Sequence, residues 1–156
     1  LPIDGYHLVV HVWIRNSKGE YLIAQRTANR PTFPLVWECV DGSVIKGEDS
    51  LQGALREVKE ETGVSASIIK YVGKSNYTFN TAFDVVNKDV HWYLMMADSY
   101  YSKPQREEYF VDSGYYKYHE AYHLLKFANE KQILEKAYNE YLDLKKCNLW
   151  GTHKYY

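Results

Sequence analysis

The sequence predicts an α/β protein in which helices cover a mixed β-sheet. Three observations carry this. Apolar and β-branched runs, separated by turn residues, fill most of the chain up to residue 118, which is a strand pattern. One amphipathic helical segment interrupts that run near its middle, and two more helical segments follow the last strand. A helix inside a mostly β run buries its apolar stripe against a sheet face, which gives a helix-covered mixed sheet.

The elements follow in order. Residues 7–14 (HLVVHVWI) are apolar enough for a buried strand. Asn16, Ser17, Lys18 and Gly19 make a hairpin-type turn, and residues 21–25 return from it. Pro31 and Pro34 mark 27–34 as a loop. A short strand at 35–40 leads to Gly42. Leu51, Ala54, Leu55 and Val58 then recur at i, i+3, i+4 and i+7, the stripe of a helix. Asp49 or Ser50 is its N-cap and Gly63 closes it. Strands are expected at 68–74, 89–97 and 109–118, with 77–86 as a further candidate. Residues 119–127 and 131–146 are expected helices, the second with Ile133, Leu134, Ala137, Tyr138, Tyr141 and Leu142 on one side. No repeat, linker or low-complexity segment divides the chain.

At 156 residues the chain fits one domain with a proper core. Lys and Arg number 19 against 20 Asp and Glu, a formal net charge of −1. Bulk charge therefore gives no reason to expect nucleic acid or membrane as a partner. The apolar runs at 8–10 and 92–97 are far short of a membrane span, and no secretory signal is visible. Cys39 and Cys147 form neither a disulfide framework nor a zinc spacing, and they fit a reducing, cytoplasmic location. The chain opens on Leu1 rather than Met, so further residues are expected to precede it. Sixteen tyrosines serve either core packing or an aromatic ligand pocket.

The chemistry concentrates at residues 42–64, GSVIKGEDSLQGALREVKEETGV. They fit the pattern G-x5-E-x7-R-E-U-x-E-E-x-G-U without a gap, U being bulky and apolar. Gly42, Glu48, Arg56, Glu57, Glu60, Glu61 and Gly63 fill the fixed positions, a coincidence on the order of one window in 10⁸ at average residue usage. Glu57, Glu60 and Glu61 stand at i, i+3 and i+4, so they project from one helix face, expected to be exposed, and repel one another. A positive group has to offset them. Arg56 is one candidate, a guanidinium that pairs carboxylates bidentately. A hard divalent cation held by carboxylates and substrate phosphates is the other. Such an ion neutralises phosphate oxygens and acidifies a bound water. A charge run of this kind is often only a solvated face. The glycine, glutamate and arginine at fixed offsets favour the functional reading.

This segment resembles the signature box of the Nudix hydrolases, the MutT-like pyrophosphatases. The resemblance is sharp over 42–64 and looser over about 7–125. It implies a single Nudix-type domain over 1–156, an α/β/α sandwich with a mixed sheet, and a C-terminal helical extension over about 129–156. It also implies Mg²⁺ as cofactor, with Mn²⁺ as the alternative. Glu57, Glu60 and Glu61 match the family's metal-binding glutamates, and Glu48 its upstream, often outer-sphere, glutamate. Arg56 matches the arginine that orients the first helix carboxylate. Gly42 matches the glycine that opens the loop over the substrate. Many members carry a second glycine just before it, whose carbonyl contacts metal. Here Asp41 stands there, with a carbonyl still on offer but less tolerance of left-handed backbone.

Other residues carry two readings each. Arg26 is either a phosphate-facing arginine, common near this place in the family, or a surface arginine. Glu107 and Glu108 precede the 109–118 strand, where some Nudix enzymes put a loop glutamate acting as base. They are otherwise solvated charge. Glu120 is a weaker candidate of the same kind that also suits the first turn of a helix. His11 reads as a core histidine. Tyr77, Phe79 and Trp92 either stack a base or pack in the core.

The expected activity is hydrolysis of a nucleoside diphosphate linked to another moiety X, by water attack at phosphorus. Glu57 or a loop glutamate such as Glu108 orients or deprotonates the water. The expected partner is that small molecule, and a homodimer is left open. Two rivals come from other classes. Isopentenyl-diphosphate isomerase shares the fold, and Cys39 lies close to the box, yet WECVDG does not resemble that enzyme's cysteine motif. A non-catalytic ligand-binding domain is the other, although such domains often lose box glutamates and this chain keeps them all. No DNA-binding segment is visible.

Overall fold

β1 (Tyr6–Arg15) is the strand on which the molecule is organised. In the computed structural model the described residues are 6–80, 82–97 and 109–150. The side chains of Tyr77 and Phe79, and the segment holding Glu107 and Glu108, lie outside that description. On one side β1 pairs in parallel with β6 (Val85–Met96) over its whole length. On its other side it pairs antiparallel with β2 (Glu20–Arg26) only at Arg15↔Tyr21. Asn16 holds the turn between them, its Oδ1 accepting from the Lys18 and Glu20 amides at 3.0 Å, while Gly19 supplies a φ of 78°.

Past that turn β1 and β2 part. β2 pairs with β3 (Trp37–Glu38) and with β7 (Phe110–Lys117), whereas β1 pairs with β4 (Val40–Ser43). The chain from 37 to 43 therefore changes partner at Cys39, leaving β2 for β1. The strand expected at 35–40 is in fact these two strands with a crossover between them. The sheet of seven strands, counted among the described residues, is completed by β5 (Ser67–Asn80), antiparallel to β6. Of residues 77–86, a separate strand in the sequence reading, 77–80 instead end β5 and 85–86 open β6.

Both faces of β1 are covered, which explains its near-continuous apolar run. Val10, Val12 and Ile14 pack with Leu22, Tyr93 and Met95 beneath α1 (Ser50–Thr62), through Ala54 and Val58. Val9 and Trp13 pack with Ile23, Trp92 and Leu94 on the opposite face. There α2 (Tyr118–Leu124) and α3 (Ala128–Trp150) add Ala121, Leu134, Ala137 and Tyr141. The result is an α/β/α sandwich with a mixed sheet. Among the described tyrosines, Tyr21 and Tyr141 are core, and Tyr118 stacks on Tyr138 at 4.0 Å between α2 and α3.

α2 is shorter than the expected 119–127. Leu125 is extended and buried, and it forms a bridge with Trp37, so the helix stops at Leu124. α3 starts three residues earlier than expected. Among the described residues no helix is long and apolar enough to cross a membrane.

Candidate active site

The box helix is closed by local chemistry at both ends. Asp49 is its N-cap: Asp49 Oδ1 accepts from the Gln52 amide at 2.8 Å, and Gln52 Oε1 accepts from the Asp49 amide at 2.9 Å. Gly63 ends it in the left-handed region at φ 72°, its N–H reaching the Lys59 carbonyl. The residues facing inward are Gly53, Ala54, Glu57, Val58, Glu61 and Thr62, while Leu55 is exposed. The helix is thus turned further than its apolar stripe suggests. Glu57 and Glu61 are buried, against the expectation of an exposed face. The reason is docking: α1 lies along β4 and β1, and the small residues Gly53 and Ala54 let it come close.

Arg56 is the hub. Its Nε donates to Glu48 Oε2 at 2.8 Å and its Nη2 to Glu48 Oε1 at 3.1 Å. Nη1 donates to Glu57 Oε1 at 2.7 Å and to Glu60 Oε2 at 2.8 Å, and Nη2 also reaches the Ser43 carbonyl at 2.9 Å. One guanidinium therefore ties three carboxylates to the loop. Glu48 folds that loop back further by accepting from the Ile45 amide at 2.9 Å. Arg56 is the main cause that holds the Glu48 carboxyl below its ordinary range. Gly42 lies directly against Glu57: a Cβ on Gly42 would fall inside the Glu57 carboxyl group. Glu61, one turn on, lines a narrow cavity with Leu22, Val40 and Phe110.

A second acidic layer sits where β1 and β2 part. Arg26 Nη1 pairs with Glu38 Oε1 at 2.9 Å, and its Nε and Nη2 donate to the Thr32 carbonyl at 3.2 and 3.0 Å. Arg26 is not a solvated surface arginine; it holds Glu38 and the 27–34 loop together. Burial pushes Glu38 up to about 8, with the charge of Asp41 adding to it and Arg26 opposing. Burial likewise raises Asp41, and it raises Glu130, at the start of α3, to about 7. His11 is lowered to about 4 by burial and is neutral at physiological pH.

The structure thus brings together Glu48, Arg56, Glu57 and Glu60 beneath Gly42, with Glu61 behind them and Asp41 on the adjoining strand. Arg26 stands at the neighbouring acidic layer. Glu120 caps α2, accepting from the Lys117 amide at 3.1 Å. Trp92 is core, its ring 4.4 Å from that of His11. Glu108 lies outside the described residues. Sequence reasoning passed over Glu38 and Glu130. A charge inside the apolar WECV strand was a usable signal for the first; a glutamate in a first helical turn was none for the second.

The donor set around Arg56 is all oxygen and carries more negative than positive charge, which fits a hard divalent cation. It does not fit isomerase chemistry at Cys39. That thiol is buried within the core, and burial raises it well above its ordinary value, the reverse of an activated cysteine.

Comparison with known proteins agrees. The family profile described as the NUDIX domain matches residues 5–137. A Nudix hydrolase of Listeria innocua is 43% identical over 88 residues, covering 54% of this chain and 52% of its own length. An RNA pyrophosphohydrolase of Roseobacter denitrificans is 32% identical over 101 residues, covering 58% of this chain and 61% of its own. The chain spans about half the length of the Listeria relative and under two thirds of the Roseobacter one. A crystal structure of a MutT protein from Methanosarcina mazei superposes with a TM-score of 0.65 at 21% identity, over 90% of this chain and 99% of that one. At that identity the likeness speaks for the fold.

Proposed function

The chain belongs to the NUDIX family, and from that premise we propose that it is a divalent-metal-dependent pyrophosphohydrolase of nucleoside diphosphate derivatives. The observation that carries the reading is the Arg56 hub, which holds Glu48, Glu57 and Glu60 together under a side-chain-free Gly42. Glu57, Glu60 and Glu61 would hold the ion, with Glu48 outside them and Asp41 offering its backbone carbonyl. A divalent ion there, Mg²⁺ with Mn²⁺ as the alternative, supplies neutralising charge at the phosphate oxygens and a more acidic bound water.

The chain's own residues do the rest. Arg56 fixes Glu57 through Oε1, while Oε2 lies against Gly42. A carboxylate so held loses little freedom when substrate binds. Gly42, with no side chain, leaves room for the Glu57 carboxyl group at the mouth of the loop. Arg26 keeps the 27–34 loop and Glu38 in place beside it. Glu57, or Glu108, takes the proton of the attacking water, and the phosphorus–oxygen bond of the anhydride breaks as the new one forms. The reading includes a cytoplasmic location and a small-molecule substrate.

The test is a screen with Mg²⁺ in ¹⁸O water over nucleoside triphosphates, sugar nucleotides, dinucleoside polyphosphates, isoprenyl diphosphates and 5′-triphosphorylated RNA. ¹⁸O in a phosphate product supports hydrolysis at phosphorus. Conversion of an isoprenyl diphosphate without label, or turnover of none of them, overturns the reading.

A further inference from the structure

A second set of ligand-type side chains meets where β1 and β2 part. His11 comes from β1, Cys39 from the crossover between β3 and β4, and Glu130 from the first turn of α3. Their ligand atoms all lie within 4.8 Å of one another. His11 Nδ1 is 3.7 Å from Cys39 Sγ. A tetrahedral ion with zinc-like bond lengths sets its sulfur and nitrogen ligands about 3.6 Å apart, so this pair is already spaced for one.

The surroundings are those of a closed site. Cys39 and Glu130 are buried, and the His11 side chain is 16% exposed. No salt bridge joins Glu130 to a cation among the described residues. A buried carboxyl without a cationic partner takes up either a proton or a metal ion. The other His11 nitrogen, Nε2, lies 3.9 Å from Asp41 Oδ2, on the side from which carboxylates orient metal-bound imidazoles. The Trp92 ring lies 4.4 Å from the imidazole, tilted 45° to it.

We propose that His11, Cys39 and Glu130 bind a zinc-type transition-metal ion, a site separate in ligand set from the box carboxylates. Mixed sulfur, nitrogen and oxygen donors select such an ion over Mg²⁺, which prefers oxygen alone. Binding releases the thiol proton, and any proton held on the Glu130 carboxyl, to solvent. The ion joins the sheet crossover to α3, so its role is to pin that helix to the sheet rather than to act on substrate.

The probe is Co²⁺, titrated into the purified full chain. The expected result is one Co²⁺ per chain, with a near-ultraviolet thiolate-to-cobalt band, displaced by Zn²⁺. Cys147→Ser and the Glu60→Gln, Glu61→Gln double variant keep the band. Cys39→Ser loses it, and Glu130→Gln weakens Co²⁺ binding by about 10-fold or more. Absence of a thiolate band in the folded wild-type chain overturns the proposal without any variant. So does a band that survives Cys39→Ser and is lost with Cys147→Ser.

Discussion

Gly42 and Glu57 occupy one space: the glycine stands where a side chain would collide with the glutamate's carboxyl group. The glycine and the first helix carboxylate, fifteen positions apart in the sequence, are one steric unit.

Gly42→Ala therefore acts through Glu57. The methyl group displaces the carboxylate and breaks its geometry with Arg56. Turnover on the best substrate is expected to fall on the order of 10²-fold, as for loss of one transition-state group. Overpacking is expected to cost about 1–3 kcal/mol of stability. Steady-state kinetics beside urea unfolding measure both, and an unchanged kcat removes the steric argument.

Glu57→Gln keeps the shape and removes the charge. Arg56 retains Glu48 and Glu60 as partners, so the fold is expected to survive, with a stability change of about 1–2 kcal/mol. The kcat is expected to fall on the order of 10²-fold or more. A variant that turns over at the wild-type rate shows that Glu57 is not catalytic.

Metal should bind at the box helix. Calorimetric titration of Mg²⁺ or Mn²⁺ into wild type is expected to show a binding event that the Glu60→Gln, Glu61→Gln double variant loses. Equal heats from the two proteins remove these ligands from the assignment.

The acidic layer predicts a pH dependence of stability. Glu38 titrates near 8 in the folded chain against 4.5 as the ordinary value, so the folded state binds the extra proton between those limits. The stability it contributes is full below about 4.5 and is lost as pH rises through about 8. Glu130, raised to about 7, acts in the same direction. Thermal melts in chelator from pH 5 to 8 are expected to show a falling Tm, and Glu38→Gln is expected to flatten the slope. A variant that keeps the wild-type slope shows that Glu38 is not the titrating group.

What the sequence determined alone was whatever local chemistry decides. The box helix runs between Asp49 and Gly63 because a capping side chain and a left-handed glycine are properties of a few adjacent residues. Arg56 meets Glu60 because spacing at i, i+4 makes them neighbours on one helix face. The mixed, helix-covered sheet was legible for the same reason, since period-2 and period-3.6 patterns are local. The tertiary structure decided what depends on partners far along the chain. The crossover at Cys39 exists only because β1 and β2 part, and no turn signal marks it. The burial of Glu57 and Glu61 follows from the face on which α1 docks over Val10, Val12 and Leu22. Glu130 joins the acidic pair Glu38 and Asp41 only once α3 is laid beside the crossover. The approach of residue 130 to residue 39 is set by the closure of the whole sheet, and no window of sequence contains it.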